Sequence, residues 1–141
     1  MSQYEINSRN KVKRVPERGS YDHASVHAVL DAHFLCHVGF SYEGQPYVIP
    51  TAYGREGNTI YLHGATKSRL LVALKTGIPC CLTVTLIDGL VMARSIFHHS
   101  MNYRSAVVFG TATELKGEEE RMHALKVISD NICQGRWEEA R

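Results

Sequence analysis

The stretch Tyr61-Leu62-His63-Gly64-Ala65-Thr66-Lys67-Ser68-Arg69-Leu70-Leu71 constrains this chain most. A run of strand character, Thr59 to Leu62, breaks at Gly64. An apolar-periodic segment (Leu70, Leu71, Ala73, Leu74) follows and stops at Gly77 and Pro79. That order predicts a strand, a tight turn and a helix start, with Thr66 as N-cap and Lys67, Ser68 and Arg69 in the first turn. Free N–H groups, a hydroxyl and two cations at a helix start suit a phosphate monoester. Without an anion, the two cations oppose the helix dipole. A plain capped surface helix with solvated Lys and Arg is the competing reading.

A chain of 141 residues has room for one core. Its 44% hydrophobic and 21% charged residues are those of a globular protein. A net charge of +2 gives no strong drive toward nucleic acid or membrane, and neither is expected as a partner. The basic residues Lys11, Lys13, Arg14 and Arg18 fall in a polar N-terminal arm, residues 1–20, read as extended and docked on a single domain, residues 21–141. The cysteines at 36, 80, 81 and 133 form no C-x-x-C, and no apolar leader opens the chain, so a reducing cytoplasm is expected. A C-terminal continuation beyond Arg141 is compatible with the structured character of the last residues.

In chain order, Asp22 reads as the N-cap of a helix from His23 to Ala32. Phe34–Tyr42 and Pro46–Tyr53 read as a hairpin across Glu43-Gly44-Gln45, with a second turn at 54–58 before the strand Thr59–Leu62. Cys80–Ile87 and Leu90–Phe97 read as two strands joined at Asp88-Gly89, a strong hairpin signal. After a polar interruption, His98 to Asn102, Tyr103–Leu115 makes a last strand. Gly117 and three glutamates open a helix whose stripe is Met122, Leu125, Ile128 and Ile132, with Gly135 as its stop. About six mainly antiparallel strands and three helices predict an α+β fold built on a small β-barrel.

The eight histidines include no H-E-x-x-H, the cysteines lack zinc spacing, and adjacent strand residues such as His98 and His99 point to opposite faces. No protein-held metal is expected. No G-x-S-x-G elbow supports a serine hydrolase, and the apolar setting of Cys36 disfavours a thiolate. Three strand ends instead carry polar and aromatic groups: Ile49-Pro50-Thr51-Ala52-Tyr53, the anchor turn with His63, and Asn102-Tyr103-Arg104-Ser105. Together they suit a flat, hydrogen-bonding ring with a phosphate tail.

Arg14-Val15-Pro16-Glu17-Arg18-Gly19-Ser20-Tyr21-Asp22, Val48-Ile49-Pro50-Thr51-Ala52-Tyr53, Tyr61-Leu62-His63-Gly64 and the run Phe97-His98-His99-Ser100-Met101-Asn102-Tyr103-Arg104-Ser105 continuing to Gly110 resemble the flavin-nucleotide-binding proteins related to pyridoxamine 5'-phosphate oxidase. Within them the chain is most similar to the branch that includes nitroimidazole-resistance proteins. The resemblance spans about Arg14 to Trp137. It implies an FMN-binding split β-barrel with a few peripheral helices, usually a homodimer with flavin between the subunits, acting as an oxidoreductase on a small molecule. FAD is the alternative cofactor, and a non-catalytic flavin or haem carrier is the alternative role. Ser68-Arg69 match the family's phosphate-holding Ser-Arg, while Leu70 stands where the oxidases carry Lys and Lys67 precedes the serine. The resemblance assigns cofactor contacts to Ile49, Pro50, Thr51, Ala52, Tyr53, His63, Gly64, Ala65, Thr66, Lys67, Ser68, Arg69, Asn102, Tyr103, Arg104 and Ser105. His63, replacing the oxidases' strand-end Thr, is the candidate catalytic group.

Overall fold

Alternation of apolar and polar residues writes the first strand. In Leu35–Tyr42 (β1), Cys36, Val38 and Phe40 are buried while Leu35, His37 and Ser41 are exposed, the period of two that a half-buried strand requires. The computed structural model describes residues 2–140. Glu43 and Gly44 both adopt positive φ (52° and 77°) and close a tight turn. The chain returns as Gln45–Glu56 (β2), antiparallel to β1, and Thr59–Leu62 (β3) pairs with the far end of β2. Thus 54–58 is not all turn: the reversal sits at Gly57-Asn58, and Gly54 lies inside β2.

Cys80–Val91 (β4) is one continuous strand, antiparallel to β1 and to Ser100–Gly110 (β5). The hairpin expected at Asp88-Gly89 does not form. Asp88 is instead an extra residue in a bulge, where the pairing shifts between Ile87 and Gly89. Its carboxylate accepts two hydrogen bonds from Arg104, at 2.9 and 3.0 Å. The reversal comes later, through residues 92–99, with a 3-10 turn at Ile96–His98 where a strand to Phe97 was expected. His98 and His99 therefore lie in this connection rather than in a strand. The last strand ends at Gly110, so its expected stretch to Leu115 is irregular chain.

Five strands result, in the order β3-β2-β1-β4-β5, all neighbours antiparallel. Among the described residues the two edge strands have no outer partner, so the sheet is open where a closed barrel was expected. β3 and β5 face each other across a cleft of about 700 Å³, bordered by Ile60, Leu62, Val108, Phe109 and Leu125.

Among the described residues four α-helices flank the sheet. His23–Asp31 (α1) is capped by Asp22, which accepts from the Ser25 N–H at 2.8 Å. Arg69–Leu74 (α2) buries Leu70, Ala73 and Leu74. Glu118–Ile132 (α3) begins with three glutamates at its positive end and buries Ala124 and Ile128. Beyond Gly135, at φ 79°, the short Arg136–Glu139 (α4) follows. No described helix is long and apolar enough to cross a membrane.

Helix α3 comes very close to β2. A Cβ placed on Gly54 would lie 2.8 Å from the backbone of Val127 and Ile128, so only glycine fits under the helix. Beside it Tyr53 is fully buried, and its hydroxyl reaches the carbonyls of Leu30 (2.5 Å) and His33 (2.8 Å). The Asn131 amide of α3 donates to the carbonyls of His33 (3.1 Å) and Tyr53 (2.8 Å). One polar knot thus ties α1, β2 and α3, and burial pushes the Tyr53 hydroxyl well above its usual range.

The arm is docked but not simply extended: it contains a turn at 8–10 and a 3-10 turn at Pro16–Arg18. Tyr4 lies 2.9 Å from His27 Nε2 and donates to Asn58 at 2.7 Å, Gln3 bridges to Asp22, and the Tyr21 hydroxyl accepts from the Val12 N–H at 2.7 Å.

Candidate functional site

After Leu62 the chain leaves β3 and crosses the flank of β2. The Thr51 hydroxyl donates to the His63 carbonyl at 3.5 Å. Gly64, Ala65, Thr66 and Lys67 form the exposed turn, with Ser68 N–H to Ala65 carbonyl at 2.8 Å. The helix cap is Ser68, not Thr66. Its extended backbone (φ −65°, ψ 144°) lets its hydroxyl accept from the Leu71 N–H at 3.3 Å, which Thr66, two residues farther out, does not do. Arg69 and Leu70, the first two helical residues, have no intrahelical acceptor for their N–H groups. The Ser68 hydroxyl oxygen is occupied as acceptor, and its hydrogen remains to donate.

The charges at this turn stand apart. Lys67 and Arg69 are both exposed, and among the described residues neither has a carboxylate within ion-pair distance. Arg69 instead lies over the ring of Tyr47, Cζ 4.6 Å from the centroid. The donor set therefore fits an oxyanion: two cations, a hydroxyl hydrogen and helix-start N–H groups.

Of the expected site residues, the structure brings together two groups. Thr51, with Ile49, Pro50 and Ala52 as its neighbours on β2, meets the turn through its hydroxyl at the His63 carbonyl. His63, Gly64 and Thr66 also border the 700 Å³ cleft, whose lining includes neither Tyr47 nor Arg69. Tyr53 is not on this surface, because it is fully buried in the knot with α1 and α3.

The third group lies elsewhere. Asn102, Tyr103, Arg104 and Ser105 pair with Gly89, Ile87, Leu86 and Thr85, beyond Thr83, the last β4 residue paired with β1. Their strand is separated from β2 by β1 and β4, roughly 14 Å at ordinary strand spacing. Arg104 is moreover held by Asp88, which it keeps below the usual carboxylate range.

This outer ribbon carries an apolar stripe. The bulge at Asp88 places Leu90 opposite Met101 as Ile87 is opposite Tyr103, so all four share one face. Leu90 is 71% exposed, and at the tip Ile96 and Phe97 are 82% and 97% exposed. Sequence reasoning missed two partnerships: Tyr47 with Arg69, and Asp88 with Arg104. Only the second had a local signal, an Asp-Gly pair that also suits bulges.

The family model described as pyridoxamine 5'-phosphate oxidase matches residues 22–141. Among solved structures, the flavocytochrome Anf3 from Azotobacter vinelandii is 40% identical, with a TM-score of 0.86 over 96% of this chain and 63% of that one. The FAD and haem binding protein from Mycobacterium smegmatis is 36% identical, with a TM-score of 0.79 over 86% of this chain and 59% of its own. A candidate 5-nitroimidazole antibiotic resistance protein from Bacteroides thetaiotaomicron is 29% identical, with a TM-score of 0.66 over 78% of this chain and 66% of its own. This chain thus spans less than two thirds of the first two relatives. No curated protein matches it.

Proposed function

The chain belongs to the pyridoxamine 5'-phosphate oxidase-like family of flavin-binding proteins, and from that premise we propose that it is an FMN-binding oxidoreductase or reductase of a small molecule. The observation that carries this reading is the turn at 63–69. Two cations without a carboxylate partner among the described residues stand there beside a serine with a free hydroxyl hydrogen. Lys67, Ser68 and Arg69 hold the phosphate, and Gly64, Ala65 and Thr66 shape the turn around it. Ile49 to Ala52 border the ring and ribityl chain. His63, exposed at the cleft mouth, contacts substrate or donates a proton. FMN when bound supplies hydride or electron transfer; FAD carries the same first phosphate and is the alternative.

The working form in this reading is a homodimer in a split-barrel arrangement, with flavin at the subunit interface. An exposed apolar stripe on a projecting ribbon supports it. The partner's ribbon would bring Asn102 to Ser105 to the turn that the same chain's ribbon does not reach. A second reading, a flavin or haem carrier without turnover, is favoured by the haem named for the Mycobacterium relative and by the Azotobacter relative's being a flavocytochrome.

Arg69→Ala is expected to weaken FMN binding by about 1.5–3 kcal/mol, the worth of a charge-assisted contact. Unchanged affinity in a folded variant overturns the phosphate assignment. An absorption spectrum of the purified protein before and after adding FMN identifies the cofactor, retained flavin bands or a Soret band, and oxidation of the reduced flavin by an acceptor faster than by oxygen alone separates the enzyme from the carrier.

A further inference from the structure

Tyr47 lies outside the residues assigned above, yet it touches one of them. We infer that Tyr47 is a positioning residue for Arg69, and that through it the site discriminates phosphorylated flavins from riboflavin; the inference rests on the phosphate role proposed for Arg69.

Phe40 of β1 and Tyr47 of β2 are register partners. Their rings stack with centroids 5.5 Å apart and planes 25° from parallel. Phe40 is only 6% exposed, so the core fixes the first ring and the first ring braces the second. The Arg69 guanidinium carbon lies over the same Tyr47 ring, 4.6 Å from its centroid. Phe40, Tyr47 and Arg69 thus form a chain of contacts running from the core to the site.

The consequence for Arg69 is geometric. A guanidinium held over a ring has its position fixed while its N–H groups stay available, and a phosphate can take them as a fork. An exposed arginine without such a support loses rotamer freedom when it captures an anion; here that freedom is already restricted in the free protein. The Tyr47 hydroxyl makes no hydrogen bond among the described residues, so the ring is the part that acts. Riboflavin, which has the same ring system and no phosphate, gains nothing from this device.

The test is titration of FMN and of riboflavin into the intact protein and into Tyr47→Phe, Tyr47→Leu, Arg69→Ala, Arg69→Lys and the double variant Tyr47→Leu/Arg69→Ala, with Tm recorded for each. Tyr47→Leu is expected to weaken FMN about two- to fivefold, the range of an exposed cation–π contact, and to leave riboflavin unchanged. Tyr47→Phe restores FMN affinity, and the double variant binds no more weakly than Arg69→Ala alone. Arg69→Lys, which keeps the charge and loses the planar fork, falls well below the parent for FMN. Equal loss for FMN and riboflavin in Tyr47→Leu overturns the inference, as does full FMN affinity in Arg69→Lys, which needs no Tyr47 variant to fold. Arg69→Ala separates the two levels. If it weakens FMN while Tyr47→Leu does not, the positioning role fails and the phosphate site stands. If Arg69→Ala leaves FMN untouched, the phosphate reading itself fails.

Discussion

The sheet has two apolar faces that end differently. On β2, Tyr53 is fully buried, and its hydroxyl, the Asn131 amide and the carbonyls of Leu30 and His33 satisfy one another. α3 lies so close that Gly54 has no room for a side chain. On the outer ribbon of β4 and β5, the same strand alternation leaves Ile87, Leu90, Met101 and Tyr103 facing outward, with Phe97 beyond them at the tip. Both regions follow the strand period. What differs is the lid, since a helix of the same chain covers one face and no described element covers the other. Apolar burial contributes about 25 cal/mol per Å², so a stripe left open by its own chain is a reservoir for association.

The largest effect is expected at the buried end. Tyr53→Ala should destabilise the chain by about 3–5 kcal/mol, because it opens a cavity and strands two carbonyls. Urea unfolding measures it, and a loss under about 1 kcal/mol would mean that the knot does not hold α1, β2 and α3 together.

At the open end the effect should move from stability to association. The double substitution Leu90→Ser/Phe97→Ser should change monomer stability by no more than about 0.5 kcal/mol and shift the protein toward monomer in sedimentation. Persistence of the same oligomer would remove the ribbon from the interface.

The smallest effect is expected at the start of α1. The Ser20 hydroxyl and then the Ser25 N–H hold the Asp22 carboxyl down to about 2 from 3.8. Because the folded value is the lower one, the stabilisation is complete above the unfolded value and is lost as pH falls through about 2. Asp22→Asn keeps a cap acceptor and should flatten the Tm profile between about pH 4 and 2; parallel profiles would count against the cap.

Local chemistry explains what could be read ahead of the structure. Asp22 capping α1, the glutamates opening α3 and the limits of β3 depend on residues within a turn or two. The cap of α2 depends on which of two hydroxyls meets the Leu71 N–H, and a shift of two residues decides it. Asp88-Gly89 has the composition of a hairpin, but Arg104, sixteen positions away, holds the aspartate in a bulge and the strand runs on. The turn at 63–69 was visible as a cluster of cations. The ring beneath Arg69 was not, because Tyr47 reaches it only through the fold. For the same reason Tyr53, grouped with the site by sequence proximity to Thr51, belongs to the core: the two side chains share a face of β2, and only the Leu30 and His33 carbonyls, reached through the fold, bury Tyr53.

The strand order carries a consequence for how the chain reaches this state. β1 with β2 and β4 with β5 are hairpins whose partners are near in sequence, whereas β1 meets β4 along only four pairs, His37 with Thr83 to Phe40 with Cys80. Ribbons of the first kind zip within microseconds, while joining them requires closing the long span that includes β3 and α2. Topology of this sort places the slow event of refolding at the meeting of two already formed halves, on a seam narrow enough for Gly39, whose missing side chain would press on the Cys81 sulfur at 3.3 Å, to govern how closely they settle.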